Sequence, residues 1–287
     1  MEEKQMSLVP FQKMLNEARK YHYAVPAFNV ADMETIQAIT RAAEMEGSPL
    51  IIQLYHADLE FAGADFMTSL ARTASEHCTV PVSISLDHGQ SYEQAVSCIE
   101  QGFTGVMIDL SKNDFYENVE DTKKVVKYAH AKNVSVEAEL GTIFDADAPL
   151  EIRNSGMTDP EKAIEFVRLT GVDALAVSIG TAHGVYSSTP VIDFERAGQI
   201  FRTLPCPAVV HGASCTPDED ILKLCSLGVS KINIGTDLNH AFNRGILRGF
   251  KIYGENAAIR EYMEEGRNEV IKTARQKIQL FRTYAEQ

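Results

Sequence analysis

No two cysteines of this chain stand in C-x-x-C spacing, and the five present (Cys78, Cys98, Cys206, Cys215 and Cys225) are odd in number. That argues against a disulfide framework or a cysteine-held zinc and fits a reducing compartment. Cys215, although in a loop of interest, reads as an inert lone thiol. Long apolar runs are also missing: none approaches the roughly 20 residues a membrane span needs. The opening Met-Glu-Glu-Lys-Gln has no apolar signal region, so a cytoplasmic protein with no membrane partner is expected. Positive charge is scarce, with 27 Lys and Arg against 40 Asp and Glu, a formal net charge of −13. This argues against nucleic acid as a partner. It leaves phosphate ligands open, because a few backbone amides can reverse the local field. What is present is ordinary for a globular enzyme: 45% hydrophobic and 23% charged residues, which excludes disordered, collagen-like and coiled-coil classes. No linker or composition break interrupts the 287 residues, so residues 1–287 are expected to form one domain.

Short β-branched runs alternate with amphipathic stretches. Strands are predicted at 24–29, 50–55, 80–87, 105–109, 134–140, 174–179, 208–211 and 231–234. They read as apolar without strict alternation, as parallel strands covered on both faces do. One helix is predicted from Met33, with Ile36, Ile39 and Ala43 on one face; another follows residues 117–121, with Val125, Val126 and Ala129. Asp32, Ser91, Asp159-Pro160, Asp193 and Pro217-Asp218 read as helix starts, and Gly47, Gly102, Gly171 and Gly228 as helix ends. A doubly wound open sheet would carry a Gly-rich fingerprint after its first strand, and "FNVADME" has no glycine. The pattern predicts an α/β (β/α)8 TIM barrel with extra N- and C-terminal helices, the latter after Gly254.

In such a barrel the catalytic groups stand at the C-terminal strand ends. The unusual polar residues fall there: Asp87 and His88, Glu137 and Glu139, His183, His211, and Asn233, Thr236 and Asp237. Three histidines on one rim match the three-ligand, open-position pattern of catalytic zinc, although a single strand-end histidine is usually only hydrogen bonded. His22, His77, His130 and His240 read as surface residues, whereas His56 could face the mouth. "HGAS" after the seventh strand and "NIGTD" after the eighth offer Gly212, Ala213, Ser214, Gly235 and Thr236. Barrels often hold phosphate with these two loops.

These motifs carry a resemblance. "YAVPAFNV", "SLDHG", "VMID", "VEAELG", "GVDALAVSIGTAHGVY", "VVHGAS", "KINIGTDL" and "EVIKTARQKIQLF", in this order, resemble class II fructose-bisphosphate and tagatose-bisphosphate aldolases over nearly the whole chain. "GTAHGVYSSTPVIDFER" and the alanine of "HGAS" are closer to the tagatose-bisphosphate branch. The resemblance implies a zinc-dependent aldehyde-lyase that reversibly cleaves a ketose (bis)phosphate, such as tagatose or fructose 1,6-bisphosphate. The products would be dihydroxyacetone phosphate and an aldehyde, by way of an enediolate whose charge zinc takes up as a Lewis acid. By the same resemblance His88, His183 and His211 hold Zn2+, and Asp87 carries the proton of the C4 hydroxyl. Gly184, Gly212, Ala213, Ser214, Asn233, Ile234, Gly235 and Thr236 hold the phosphate of the dihydroxyacetone phosphate half. Glu139 and Asp109 are implied as auxiliary carboxylates, Arg260 as a distal-phosphate ligand, and a monovalent cation such as Na+ or K+ as a second ion. A homodimer or homotetramer follows only by family analogy.

The chain departs from the family pattern at Tyr55, at residues 110–113, in "TIFDADAPLEIRNSG", where Asp145 and Asp147 replace the usual acidic group, and around Arg260. These positions cluster on the aldehyde side, which predicts that this half differs from glyceraldehyde 3-phosphate. Two alternatives stand beside the zinc enzyme. A Schiff-base aldolase would need a lysine at a strand end, for which Lys112 is the near candidate, Lys231 lying at the start of its strand. A non-catalytic sugar-phosphate-binding accessory subunit would keep the fold without turnover, but would not need Asp87.

Overall fold

Eight parallel strands pair in chain order and close on themselves, β8 against β1. They are β1 Val25–Asn29, β2 Leu50–Tyr55, β3 Val82–Gly89, β4 Gly105–Ile108, β5 Ser135–Leu140, β6 Ala174–Val177, β7 Ala208–Val210 and β8 Lys231–Ile234. This computed structural model describes residues 8–186 and 189–285. The opening Met-Glu-Glu-Lys-Gln stretch, and Ser187 and Ser188 of the "GVYSSTP" motif, lie outside the described residues.

The helices are α1 Phe11–Lys20, α2 Met33–Glu46, α3 His56–Ala62, α4 Ala64–His77, α5 Tyr92–Glu100, α6 Phe115–His130, α7 Leu150–Ser155, α8 Pro160–Thr170, α9 Phe194–Thr203, α10 Asp218–Leu227, α11 Thr236–Tyr253 and α12 Ile259–Phe281. All eight expected strands are present, so the barrel expectation holds. Most expected caps also form. The side chains of Asp32, Ser91, Asp159 and Asp193 each accept from a backbone N–H in the first turn of α2, α5, α8 and α9, satisfying amides the helix itself leaves unpaired. Strand ends shift by one or two residues, β3 running 82–89 against the expected 80–87 and β6 ending at Val177, and two helical segments also differ from expectation. α6 begins at Phe115 and includes 117–121 instead of following them, because Asp114 accepts from Tyr116 N and caps an earlier start. After Gly254 a single long helix forms, not several.

The strands alternate after all, but between two apolar environments at their lower ends. Phe28, Ile52, Ile84, Val106, Val136, Leu175, Val210 and Ile232 face outward into the helix layer. Val25, Ala27, Ile51, Met107, Ala174, Ala176 and Val209 face inward and meet Phe11, Met14, Leu15 and Ala18 of α1, which plugs the N-terminal end of the barrel. That is why no hydrophobic/polar period is visible there. Higher up, the inward positions turn polar: Asn29, Gln53, Asp87, Glu137, Glu139, His211 and Asn233. The functional residues are therefore the upper layers of the interior.

At the outside, α12 packs along α11 and α2. Three glycines permit the α11–α12 approach: a methyl group on Gly245 would come within 2.5 Å of Gly266 Cα, one on Gly249 within 2.6 Å of Tyr262 Cα, and one on Gly266 within 2.8 Å of Phe242.

Candidate active site

The C-terminal mouth of the barrel opens into a cavity of about 610 Å3. It is lined by Asp87, His88, Asp109, Glu139, His183, Gly184, His211, Gly212, Ser214, Asn233, Gly235 and Thr236 among others. Residues more than a hundred positions apart in the chain thus meet at one place. Tyr55, His56, Leu110, Ser111, Lys112, Asn113 and Asp145 line it as well. Ala213 and Ile234 are fully buried in the apolar layer and do not line the cavity. Asp147 and Arg260 are exposed and do not line the cavity, Arg260 standing on the first turn of α12. His22, His77, His130 and His240 are exposed, as expected.

Two consecutive residues of a strand normally point to opposite faces, yet Asp87 and His88 both serve the mouth. The β3–β4 pairing shifts register between Leu86 and Gly89, and His88 takes a left-handed φ of 48°. This local bulge re-aims the imidazole inward. His183 lies on the loop after β6. It is held by the loop after β5, its N–H donating to Phe144 O (3.0 Å) and its C=O accepting from Ala146 N (2.8 Å). Gly212, with φ 67°, lets the β7 loop approach the β6 loop, since a methyl there would stand 2.6 Å from Ala182 C.

His88, His183 and His211 each place a ring nitrogen within 4.8 Å of the others. His88 Nδ1 meets Asp109 Oδ2 at 2.8 Å and His211 Nε2 meets Glu137 Oε1 at 2.7 Å. Each carboxylate fixes the proton on the ring nitrogen it faces. The remaining nitrogens, His88 Nε2 and His211 Nδ1, face each other at 3.0 Å. Two lone pairs at that distance repel, so a positive species, a proton or a metal ion, has to lie between them. His183 Nε2 is buried with no hydrogen-bond partner and supplies a third donor atom. The donor set fits a tetrahedral zinc with one open position.

The electrostatics agree. Burial would lower the His88 pKa, but the Asp87 charge, the Asp109 hydrogen bond and Glu139 raise it to about 9. Burial and the neighbouring His88 charge lower His183 to about 4 and His211 well below the ordinary value. Glu139, raised to about 8 by burial and the Asp109 charge, has Oε1 accepting from Ile143 N and Oε2 buried without a hydrogen bond, 3.9 Å from His88 Nδ1. Asp109 and Glu139 form with His88 a second group that could hold an ion.

Asp87 is 4% exposed and accepts from three side-chain amides: Asn29 (2.7 Å), Gln53 (2.8 Å) and Asn233 (3.3 Å). Burial opposes its charge. The His88, His211 and Lys231 charges and the Asn29 hydrogen bond outweigh it and hold the carboxyl below the usual range. Asp87 is thus a buried carboxylate kept ionised beside the histidines. In the β7 and β8 loops the Ser214 hydroxyl accepts from Gly235 N (3.2 Å) and Asp237 N (3.3 Å), tying the two loops together at the start of the 18-residue α11. Thr236, the first residue of that helix, faces the cavity at its positive end.

Beneath this layer, sequence reasoning set Lys231 aside as lying at the start of its strand and passed over Asn29 and Gln53. Lys231 is fully buried and its Nζ meets Glu137 Oε2 at 2.7 Å, the same carboxylate that holds His211. Asn29 and Gln53 likewise orient Asp87. Their signal was strand parity: Lys231 shares a face with Asn233, and Gln53 with Ile51. Lys231 is committed to an ion pair, so the Schiff-base alternative is left with Lys112, which is exposed at the cavity. Cys215 is not activated, since burial and Asp237 push its thiol up.

The class II fructose-bisphosphate aldolase family matches residues 9–285. The YdjI aldolase from Escherichia coli K12 is 35% identical, with 96% of this chain and 97% of that chain covered and a TM-score of 0.85. A putative fructose-1,6-bisphosphate aldolase from Coccidioides immitis is 28% identical over 96% and 97% of the two chains, TM-score 0.83. The fructose-bisphosphate aldolase of Campylobacter jejuni, 22% identical over 96% of each chain with TM-score 0.81, shares the fold. With its barrel, its histidine cluster and a match across nearly its full length, the chain belongs to the class II fructose-bisphosphate aldolase family.

Proposed function

We propose that this protein is a zinc-dependent aldolase that cleaves or forms the C3–C4 bond of a ketose phosphate, with dihydroxyacetone phosphate as one product. The observation that carries the reading is the juxtaposition of three buried imidazole nitrogens, one of them without a partner, with a carboxylate held ionised beside them. His88 through Nε2, His211 through Nδ1 and His183 would hold the ion, with Asp109 and Glu137 fixing the tautomers of the first two. Bound there, zinc supplies Lewis-acid stabilisation of the negative charge that develops on the ketose carbonyl oxygen.

The remaining steps belong to the chain's own residues. In the cleavage direction Asp87 accepts the proton of the C4 hydroxyl, and the C3–C4 electron pair stays with C3, conjugated with the C2 carbonyl. The C4 oxygen becomes the carbonyl of the departing aldehyde. A proton must then return to C3. Of the two acidic residues on the loop after β5, Asp145 lines the cavity and Asp147 does not, which favours Asp145 for that transfer. The phosphate sits against Gly184, the residues 212–214 and the residues 233–236, where the start of α11 favours an anion and fixes the reacting carbons in register.

The test is zinc content followed by cleavage assays of wild type and Asp87→Ala. Stoichiometric zinc, activity lost to a chelator and to the substitution, and no covalent trapping by borohydride are expected. Cleavage by metal-free protein, or borohydride trapping through Lys112, would overturn the zinc reading. Ligand binding without any cleavage would leave an accessory subunit.

A further inference from the structure

The phosphate loops follow β7 and β8; the opposite side of the closed barrel is formed by the ends of β2, β3 and β4. A ketose anchored by its phosphate at β7–β8 reaches across the histidines to that far rim with its aldehyde half. Tyr55 at the end of β2, His56 and Asp58 after it, Gln90 after β3, and Lys112 and Asn113 after β4 line the cavity there.

Two features of this rim are unlike a phosphate site. Its charge is of the wrong sign: Asp58 and Asp145 line the cavity above Asp87 and Asp109, and no arginine of this chain is among the lining residues. Lys112, exposed and in no ion pair among the described residues, is the single lysine or arginine that lines the cavity. The field these aspartates produce is felt at the Tyr55 hydroxyl, which burial and then the charges of Asp87, Asp145, Asp58 and Asp109 hold above the ordinary phenol value. The hydrogen-bonding capacity is also of the wrong kind. The Asp58 carboxylate makes no hydrogen bond or ion pair among the described residues; beside it His56 Nε2 accepts from Gln90 Nε2 (3.1 Å), which leaves the buried Nδ1 as an N–H donor without a hydrogen bond, so the rim pairs a free acceptor with a free donor. A carboxylate with free lone pairs calls for donors. A phosphate dianion brings only acceptors, whereas sugar hydroxyls donate and accept.

We propose that the aldehyde half is an uncharged polyhydroxy aldehyde whose hydroxyls are received by Asp58 and His56, and that Asp58 selects against an anionic aldehyde. This rests on the aldolase reading given above and names the acceptor for it.

The experiment uses the zinc-loaded protein and dihydroxyacetone phosphate. Condensation is measured with glyceraldehyde 3-phosphate, with uncharged aldoses of three to five carbons, and with a uronic acid of matching length. Exchange of the hydroxymethyl-carbon proton of dihydroxyacetone phosphate with deuterated solvent is followed separately, since it needs no aldehyde. An uncharged aldose is expected to have the highest kcat/KM. Asp58→Asn, which keeps the shape and removes the charge, is expected to shift the ratio of uncharged to phosphorylated acceptor by about tenfold toward the phosphorylated one. A ratio, unlike a rate, does not move when a variant is merely less well folded. Exchange with glyceraldehyde 3-phosphate or the uronic acid as best acceptor overturns this inference alone. An unchanged ratio in Asp58→Asn overturns the role of Asp58. Absence of exchange removes the aldolase reading itself and the inference with it.

Discussion

Lys231 and Glu137 show how much of the candidate site lies beneath its visible ligands. The pair is fully buried, with Glu137 bonded on one oxygen to Lys231 Nζ and on the other to His211 Nε2. Removing one member leaves the other's charge stranded in the barrel interior, which costs about 3–5 kcal/mol. Lys231→Met is therefore expected to lower stability by that order in a denaturant titration. Glu137→Gln/Lys231→Met, which removes both charges, should cost less than Lys231→Met alone; equal or greater loss would show that the pair acts by packing. Glu137→Gln alone weakens the acceptor that fixes the His211 tautomer. Zinc affinity, read by chelator competition, is expected to fall roughly 10–100-fold. Asp87→Asn is a separate case, because the amide keeps the shape but cannot accept the C4 proton. A loss of about 10²–10⁴-fold in kcat with unchanged zinc content is expected; a loss that tracks zinc content would make Asp87 a support for the metal instead. The histidines and Asp87 were legible in the sequence because polar residues at the ends of apolar runs stand out. Lys231, Gln53 and Asn29 were not: Lys231 opens its strand at the end away from the mouth, Gln53 is a single polar residue inside an apolar strand, and Asn29 ends β1 without a titratable group to mark it.

The strands and helices were legible for a different reason: caps and breaks are local. Asp32, Ser91, Asp159 and Asp193 each close their helix start through their own side chain, so a few residues suffice to place the boundary. The bulge at the end of β3 was not legible, since the left-handed His88 is imposed by pairing with β4 and not by its neighbours. The placement of His183 by the β5 loop was hidden for the same reason: its partners, Phe144 and Ala146, are almost forty residues away. The α11–α12 contact is likewise a long-range demand written in glycine. A methyl on Gly245 would meet Gly266 Cα at 2.5 Å, backbone against backbone, with no side chain free to move aside. Gly245→Val is expected to cost roughly 1–3 kcal/mol by overpacking. Gly254→Ala, at a position where nothing lies within 4 Å, offers the comparison: it carries the strain of a φ of 75° without a packing clash. If the two variants lose the same stability, the close crossing is not what Gly245 serves.

The barrel as a whole separates what holds it together from what it does. Its apolar contacts lie in the outer helix layer and in the α1-plugged lower interior, whereas the histidines, Asp87 and their carboxylates occupy the mouth. Among the described residues no group of metal-binding side chains lies in the lower barrel, so the metal-free chain is expected to keep its fold. At the mouth the balance differs. Against burial, the carboxylates around His88 raise its pKa to about 9, and His183 Nε2 and Glu139 Oε2 are buried without a hydrogen bond. An ion bound to the folded chain and not to the unfolded one adds RT ln(1 + [L]/Kd), about 4 kcal/mol at a thousandfold excess over Kd. Far-ultraviolet circular dichroism should therefore be the same with and without chelator, while calorimetric Tm rises with zinc and keeps rising as free zinc increases. His183→Ala, which leaves the lower barrel untouched, should lose most of that zinc-dependent rise and little of the metal-free stability. Loss of secondary structure on chelation would mean that the ion is part of the fold, and a Tm indifferent to zinc would mean that the three imidazoles do not hold it.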